Sequence, residues 1–295
     1  MTANAKTAIL AAFAADSLAL GVHWIYDIAT ITKRYGRVTT LIKPELANYH
    51  VHKEAGDQTH YGDQMLWLLR HVIKNQGFDP QIFITDWQNH MHSYDGYQDQ
   101  ASRQTLTALD AGQPWLQSGS TSTDLSGAAR LAPLLLLTQD SKDLVAMARA
   151  QTQLTHNSPL VLGAAELLAR TSLLVMQETL PSIALEQAAQ DTGDLIIIDL
   201  VRQGLAARDQ ETTTAISTFG QSCAVMSALP NAVQVVARYA DDVENALVEN
   251  VMAGGDNAAR GMFIATILGA RPKAQIPVKW LQDLRCYPEL QKLLA

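Results

Sequence analysis

The sequence is short of cysteine, of basic charge and of long apolar runs. Two cysteines among 295 residues give no sign of a disulfide framework, and neither lies at a spacing typical of a zinc site. Acidic residues outnumber basic ones by 29 to 22. The resulting net charge of −7 argues against a general nucleic-acid or anionic-membrane surface, because both of those partners require a basic field.

The sequence shows neither the pattern of a signal peptide nor that of a membrane-spanning helix. The apolar runs are far shorter than a bilayer span requires. The N-terminal apolar stretch is interrupted by Asp16 and lacks the basic start of a signal peptide. A low cysteine content without a disulfide framework is typical of proteins in a reducing compartment. These features therefore predict a cytoplasmic location with no membrane partner.

What is present is an apolar, helix-forming chain. Apolar residues make up 47% of it, which supports a sizeable buried core. Apolar positions recur at helical spacing in most segments, whereas no repeat or interdomain linker stands out. We therefore predict one all-α domain over residues 1–295, with about a dozen helices. Residues 31–60 form a long connection in this prediction, and Pro230 separates helices at 211–228 and 231–252.

The stretch around Gly254, Gly255 and Asp256 organises this chain. Two glycines can take positive φ and end one helix, and the aspartate that follows can cap the next. The second helix is rich in small residues, which let its backbone approach a neighbour closely. A carboxylate is thus predicted at the end of a tightly packed helix, although an ordinary capping role explains the same pattern.

Other polar side chains lie at predicted helix starts. Asp63 begins the helix at 63–73, His156 precedes the helix at 159–176, and the Ser/Thr-rich loop 118–130 leads into a helical run. Asp16 shares one helix face with large apolar residues, so it needs a buried partner. We predict that residues 23–27 line a pocket. If these helix starts converge in the fold, their polar side chains form the opening of one pocket. Taken separately, each of them is explained equally well as an ordinary helix cap or a solvated loop.

The order of these motifs resembles the ADP-ribosylglycohydrolase family, above all the branch that includes the J-type jellyfish crystallins. The matching segments span nearly the whole chain: AADSLALGVHWIYD, HYGDQMLWLLR, GSTSTDLSGAARLAPL, THNSP and ENVMAGGDNAARGMFIATILGA. The resemblance implies a compact all-α fold. It also implies cleavage of the bond that joins an ADP-ribosyl group to a side chain or small molecule, assisted by a pair of magnesium ions.

The chain departs from the family pattern at the implied metal ligands. Active members carry Thr/Ser-Asp-Asp in the second segment and Asp-x-Asp-Thr/Ser in the last. This chain instead has Gly62 beside Asp63, and Ala258 and Ala259 after Asp256. Only Asp63 and Asp256 remain as candidate metal ligands, enough for one weakly held magnesium ion rather than a bridged pair. His23 stands where some members have a catalytic glutamate.

Three functions remain open from the sequence. The first is an ADP-ribosyl hydrolase with one magnesium ion on Asp63 and Asp256. The second is a metal-free glycosidase that uses these two carboxyl groups as acid and base, with His23 or His156 in proton transfer. The third is an inactive homologue that binds an ADP-ribose-like ligand or serves as a structural, crystallin-like protein.

The two catalytic alternatives and the binding alternative use one predicted site. Its expected substrate is an ADP-ribosyl group that is attached to a small molecule or to a protein. The predicted catalytic residues are Asp63, Asp256 and His23. The predicted ligand-binding residues are Ser120, Ser122, Asp124, Ser126, Gly127, His156 and Asn257.

Overall fold

The computed structural model describes residues 2–46 and 49–295. In these residues the chain forms 17 α-helices and one short 3-10 helix, with two isolated β-bridges and no sheet. The predicted all-α class is confirmed. Residues 47 and 48, which belong to the predicted long connection, lie outside the described residues. One contiguous hydrophobic cluster draws residues from the first helix to the last.

The helices in chain order are α1 Ala3–Leu20, α2 Ile28–Tyr35, α3 His60–Asn75, α4 Pro80–Ser93, α5 Gln100–Asp110, α6 Trp115–Ser118, α7 Ser126–Ala129, the 3-10 helix Ala132–Leu136, α8 Ser141–Gln153, α9 Pro159–Met176, α10 Pro181–Thr192, α11 Leu195–Ala206, α12 Thr212–Phe219, α13 Val225–Arg238, α14 Val243–Met252, α15 Asn257–Gly269, α16 Val278–Asp283 and α17 Tyr287–Leu293.

Two buried helices, α1 and α15, form the centre of the fold. All of α15 is buried, and α1 is buried over most of its length. A Cβ added at Gly269 would lie 2.7 Å from the Ala11 Cβ, and one at Gly261 would lie 3.6 Å from the Ala15 Cβ. The small residues of α15 therefore allow the close approach that the sequence predicted, and this approach fixes the start of α15 beside the end of α1.

The Gly-Gly turn before α15 has the predicted conformation. Gly254 and Gly255 have φ values of 68° and 69°, and Asp256 caps α15 by accepting from the Ala259 backbone nitrogen at 3.4 Å. The turn is tied to the segment after α1, because the Trp24 nitrogen donates to the Gly255 carbonyl at 3.0 Å. Trp24 itself has a φ of 62°, which costs energy for a residue with a Cβ and often marks a functional site.

The predicted break at Pro230 is wrong. Pro230 lies inside α13, and the chain instead breaks earlier, after Gly220 at the end of α12. The predicted helix 231–252 is also divided, because α13 ends at Arg238 and α14 begins at Val243. Gly220 has a φ of 94°, which ends that helix, and the Asn231 side chain donates to its carbonyl at 2.7 Å. The lost backbone hydrogen bond at Pro230 is tolerated because α13 is held in place by packing against α11, at the closely apposed Gly204.

Helix α9 has the predicted bounds of 159–176. It is long and apolar enough to cross a membrane, but 67% of it is buried inside the protein. It packs against α7, α8, α10, α11, α13 and α15, as a central helix of a bundle does.

Candidate active site

The Ser/Thr-rich loop 119–125 brings two distant parts of the chain together. At one end Ser120 pairs with the segment before α9: its nitrogen donates to the Thr155 carbonyl at 3.0 Å, and its carbonyl accepts from the Asn157 nitrogen at 2.7 Å. At the other end Leu125 donates from its nitrogen to the Cys223 carbonyl at 2.9 Å. The loop therefore links the His156 region to the segment that precedes α13.

Three potential ligand side chains meet where this loop passes the start of α15. Asp124, Cys223 and Asp256 each offer one atom within 4.8 Å of the others. Asp256 is buried, whereas Asp124 and Cys223 are partly exposed. The structure thus brings two of the predicted residues, Asp124 and Asp256, into one cluster. Cys223 was not predicted as a site residue, because the sequence around it contains no metal-binding or catalytic motif.

The two carboxyl groups in this cluster disfavour simultaneous ionisation. Burial and the nearby Asp256 charge raise the pKa of Asp124 above its usual range. Burial also raises the pKa of Asp256, although the Arg260 charge and the capping hydrogen bond oppose this effect. A carboxyl pair of this kind tends to share one proton, as acid–base pairs in enzymes do.

Asp256 is held from several sides. Its Oδ2 accepts from the Tyr61 hydroxyl at 3.2 Å, and its Oδ1 lies 3.8 Å from His23 Nδ1. That same ring nitrogen is 3.2 Å from Asn257 Oδ1. His23 is fully buried, and burial together with His50 and His60 holds its pKa well below the usual value. His23 is therefore a neutral neighbour of Asp256.

A row of imidazoles continues behind His23. The His50 Nε2 and His60 Nδ1 atoms are 3.2 Å apart, and His60 Nε2 lies 3.4 Å from Asp99 Oδ2. Burial and His60 lower the pKa of His50 to about 3. The Trp24 ring stacks on His23 with a centroid separation of 4.3 Å. The sequence indicated this pocket wall through residues 23–27, but it did not link it to His50, His60 or Asp99.

Asp63, by contrast, has separate partners. Its Oδ2 accepts from Lys53 Nζ at 2.6 Å and from the Tyr94 hydroxyl at 2.5 Å. Burial raises its pKa, and the Lys53 charge acts in the opposite direction. Asp63 lies in the first turn of α3, near the helix start as predicted, but the capping residue is Thr59. Its role as a catalytic or metal-binding residue stays a prediction.

The buried partner required by Asp16 is Thr59. The Thr59 nitrogen and hydroxyl both donate to the Asp16 carboxylate, at 2.7 and 2.6 Å. Burial nevertheless raises the pKa of Asp16 to about 7. The carboxylate fills the space in front of Gly62, where a Cβ would overlap it. Asp16 therefore anchors the start of α3, and it leaves no room for a side chain at residue 62.

Thr59→Ala is expected to lower the free energy of unfolding by about 2–4 kcal/mol, because it removes both the cap of α3 and a hydrogen bond to a buried carboxylate. Urea unfolding measures the change. Thr85→Ala is the control, since the exposed Thr85 hydroxyl makes one bond within its own helix, to the Gln81 carbonyl. Equal losses in the two variants would contradict the anchoring role of Asp16.

The serine hydroxyls of the Ser/Thr-rich loop are largely paired with other groups of the protein. Ser120 Oγ donates to Gln104 Oε1 at 2.6 Å, and Ser122 Oγ accepts from the Asp124 nitrogen at 3.2 Å. The Ser126 nitrogen donates to Asp124 Oδ1 at 2.9 Å, while the buried Ser126 hydroxyl has no partner. The loop therefore orients Asp124, and ligand binding by its serines stays a prediction.

His156 packs against Gly127 under the loop. Burial and the Arg130 charge lower the pKa of His156 to about 3, so its ring is neutral. Its Nδ1 lies 2.9 Å from the Thr155 hydroxyl, and its Nε2 has no partner. A Cβ at Gly127 would lie 2.5 Å from the His156 ring. The two predicted residues are in contact, with Gly127 providing the space that His156 occupies.

Gly127→Ala is expected to cost about 1–3 kcal/mol of stability, because the added methyl overpacks against a fully buried ring. Thermal unfolding gives the measurement. Gly77→Ala is a matched control, since a Cβ there would meet only the Asn75 carbonyl at 3.8 Å. If Gly127→Ala were as stable as the wild-type protein, the contact with His156 would have to be looser than the structure shows.

Comparison with known proteins decides the family. A sequence profile described as ADP-ribosylglycohydrolase matches residues 2–295. The chain belongs to the ADP-ribosylglycohydrolase family. An uncharacterised protein of Archaeoglobus fulgidus is 24% identical over 295 residues, covering 98% of this chain and 93% of its own. Crystallin J1A of Tripedalia cystophora is 22% identical over 296 residues, covering 94% of this chain and 91% of its own.

A solved structure supports the same fold. The chain resembles an ADP-ribosylglycohydrolase-related protein complex with a TM-score of 0.78 and 22% identity, covering 98% of this chain and 95% of the other. The resemblance to this family and to the jellyfish crystallins, predicted from the ordered motifs, is therefore confirmed.

Members of the family are often metal-dependent, and the donor atoms of this chain do not match a pair of magnesium ions. Magnesium takes oxygen ligands in octahedral geometry. Ala258 and Ala259 supply no side-chain oxygen, and the space at Gly62 is filled by the Asp16 carboxylate. The third donor beside Asp124 and Asp256 is a thiol, which magnesium does not favour.

Proposed function

We propose that this protein hydrolyses the glycosidic bond of an ADP-ribosyl group, with Asp124 and Asp256 as the reacting carboxyl groups. The observation that carries the proposal is their meeting within 4.8 Å at the start of α15. Family membership supports the substrate class and a hydrolase-like fold. The sequence paired Asp256 with Asp63, whereas the geometry favours Asp124 as its partner.

The chemistry requires one protonated and one ionised carboxyl group. The protonated group donates its proton to the leaving oxygen or nitrogen as the bond to the ribose carbon breaks. The ionised group takes a proton from the attacking water, or attacks the carbon itself. Asp256, fixed by Tyr61 and by its capping bond, suits the ionised role because Arg260 lies nearby. Asp124 then suits the acid role.

A cleft next to Trp24 offers a place for the rest of the substrate. It encloses about 350 Å³ and is lined in part by Tyr49, His50, Lys53 and Tyr97. The Tyr49 and Tyr97 rings both contact Trp24, with centroid separations of 4.7 and 5.3 Å. Aromatic faces suit a stacked nucleobase, whereas Lys53 is already paired with Asp63 and the cleft also contains Asp57 and Asp95. We propose that this cleft binds the nucleobase of the ligand.

The experiment is a hydrolysis assay with protein-linked and free ADP-ribosyl substrates, run with and without a chelator. We expect cleavage that survives the chelator, because the carboxyl pair needs no metal. Activity that appears only with added magnesium would replace this mechanism with the one-ion alternative on Asp63 and Asp256. In either case the substrate that is cleaved identifies the acceptor of the ADP-ribosyl group.

A non-catalytic role is the second candidate, favoured by the similarity to Crystallin J1A and by the absent carboxylates at residues 62 and 258. In that case ADP-ribose should raise the melting temperature while every substrate stays intact. If the protein neither cleaves any substrate nor is stabilised by ADP-ribose, the structural role is the remaining hypothesis. A cytoplasmic location remains a prediction from the composition.

A further inference from the structure

We propose that the outer face of the α10–α11 hairpin is the interface of a two-fold symmetric dimer of this chain. The short connection through Gly193, which has a φ of 65°, makes the two helices antiparallel neighbours. A groove of about 460 Å³ runs between them. The proposal is independent of the hydrolase, because neither helix carries a candidate active-site residue.

The inner face of the hairpin is packed against the rest of the protein. Ile197 is fully buried beside Gly163 of α9, and Gly204 lies against Val233 of α13. The principal contacts of α10 and α11, apart from those with each other, are with these two helices. The groove lies on the opposite side of the hairpin, where Ile183 and Arg202 are exposed to solvent.

The outer face exposes large apolar side chains. Ile183 in the first turn of α10 is 51% exposed, and Leu195 at the start of α11 is 80% exposed. A contiguous apolar surface of this kind is typical of an interaction site, whereas single exposed apolar residues are ordinary. The groove wall of α11 is one stripe of residues at helical spacing, which Leu195 extends: Leu195, Ile198, Arg202 and Leu205.

The charges of the groove favour a second copy as the occupant. Glu186 lies on α10, whereas Arg202 and Arg208 lie on α11. Within residues 2–46 and 49–295 Glu186 has no ion-pair partner, and Arg202 pairs only with Asp199 of its own helix. A highly charged partner requires a patch of one sign. A two-fold interface uses the same patch twice, so it requires both signs together.

Two-fold symmetry brings the opposite charges into contact. An axis parallel to the groove places α10 of each subunit over α11 of the other. Glu186 and Arg202 lie at nearly equal distances along the chain from the turn at Gly193, so Glu186 meets Arg202 of the partner subunit. Ile183 likewise meets Leu205 of the partner subunit, and both leave water. The four helices then pack as a bundle, with axes about 8–10 Å apart.

Charge reversal tests this pairing, with sedimentation velocity of the full chain as the measurement. The wild-type protein should sediment as a dimer. Glu186→Arg and Arg202→Glu should each weaken dimerisation at least about 10-fold, because each places like charges together in both symmetry-related pairs. An equimolar mixture of the two variants should form a heterodimer of wild-type affinity, because both pairs then regain opposite charges.

Ile183→Ser tests the apolar part of the interface. It should also weaken dimerisation at least about 10-fold, because the isoleucine side chain is buried twice in the dimer. Ile82→Ser is a matched control. Ile82 is 49% exposed and, like Ile183, is the third residue of a helix that begins with proline, but it belongs to α4. This control should dimerise as the wild-type protein does.

Three outcomes would overturn the proposal. The first is a wild-type protein that stays monomeric at about 1 mM, which would assign the face to a different occupant. The second is a dimer that Ile183→Ser leaves unchanged. The third is a mixture of the two charge variants that stays monomeric. Circular dichroism confirms that each variant is folded, and none of these measurements uses hydrolysis, so failure of the hydrolase proposal would be seen separately.

Discussion

Asp256→Asn is expected to reduce the hydrolysis of an ADP-ribosyl substrate by about 10²–10⁴-fold, the usual contribution of a positioned acid or base. Asparagine is as good a helix cap as aspartate, so the variant should retain the start of α15. The loss should therefore appear in kcat with little change in thermal stability. Steady-state kinetics combined with thermal unfolding separates the two effects.

Asp194→Asn provides the matched control. Asp194 also caps a helix, accepting from the Ile196 nitrogen at 2.9 Å, but it belongs to α11 and is not part of the Asp124–Cys223–Asp256 cluster. Its substitution should leave kcat unchanged. If Asp256→Asn retained full activity, the carboxyl-pair mechanism would be excluded, and a catalytic role for Asp63 would become the better hypothesis.

The pH dependence of the same reaction follows from the two raised carboxyl pKa values. Below both values the pair is doubly protonated and lacks a base, and above both it is doubly ionised and lacks an acid. The profile should be bell-shaped, with both limbs above the ordinary aspartate pKa of about 3.9. The acid limb should disappear in Asp256→Asn, if any activity can be measured. A flat profile would contradict the assignment.

Arg260→Met is expected to lower the free energy of unfolding by about 3–5 kcal/mol, because it leaves buried acceptors without a donor. Arg260 is fully buried, with its Nε donating to Asn250 Oδ1 at 2.5 Å. Its Nη2 donates to the carbonyls of Asn250 and Gly254, at 3.0 and 2.9 Å. Methionine matches the length of the side chain but donates no hydrogen bond.

The measurement is urea unfolding with Arg202→Met as the control. Arg202 is exposed and pairs with Asp199 along the surface of α11, so its replacement should change stability by no more than about 0.5 kcal/mol. A loss below about 1 kcal/mol for Arg260→Met would mean that water or another donor satisfies the carbonyls. The variant should also raise the pKa of Asp256, since the Arg260 charge lowers it.

Local features were predicted well because they depend on neighbouring residues. The Gly254–Gly255 turn and the Asp256 cap need only the conformational freedom of glycine and an acceptor at the helix start. Helix α9 was predicted with the right bounds, since Pro159 marks its first turn and its apolar pattern is continuous. Pro230 was misjudged because packing against α11 compensates for a local defect that the sequence alone presents as a break.

The site was predicted only in part, because its side chains come from distant parts of the chain. Asp124, Asp256, His23 and Asn257 were each singled out, and the structure places them near one another at the start of α15. Tyr61 and Cys223 were missed as site residues, since neither carries a motif of its own. Asp63 was paired with Asp256 on the strength of the family pattern, but Lys53 and Tyr94 hold its carboxylate in this chain.

The sequence by itself determined the all-α class, the family and the carboxylate at the start of α15, because helical periodicity, ordered motifs and a capping pattern are all local properties of the chain. Only the tertiary structure decided which side chains surround that carboxylate. The partners of Asp256 come from α3, from the loop before α7 and from the segment before α13. Their meeting depends on long-range packing around α1 and α15, for which no short stretch of sequence carries a signal.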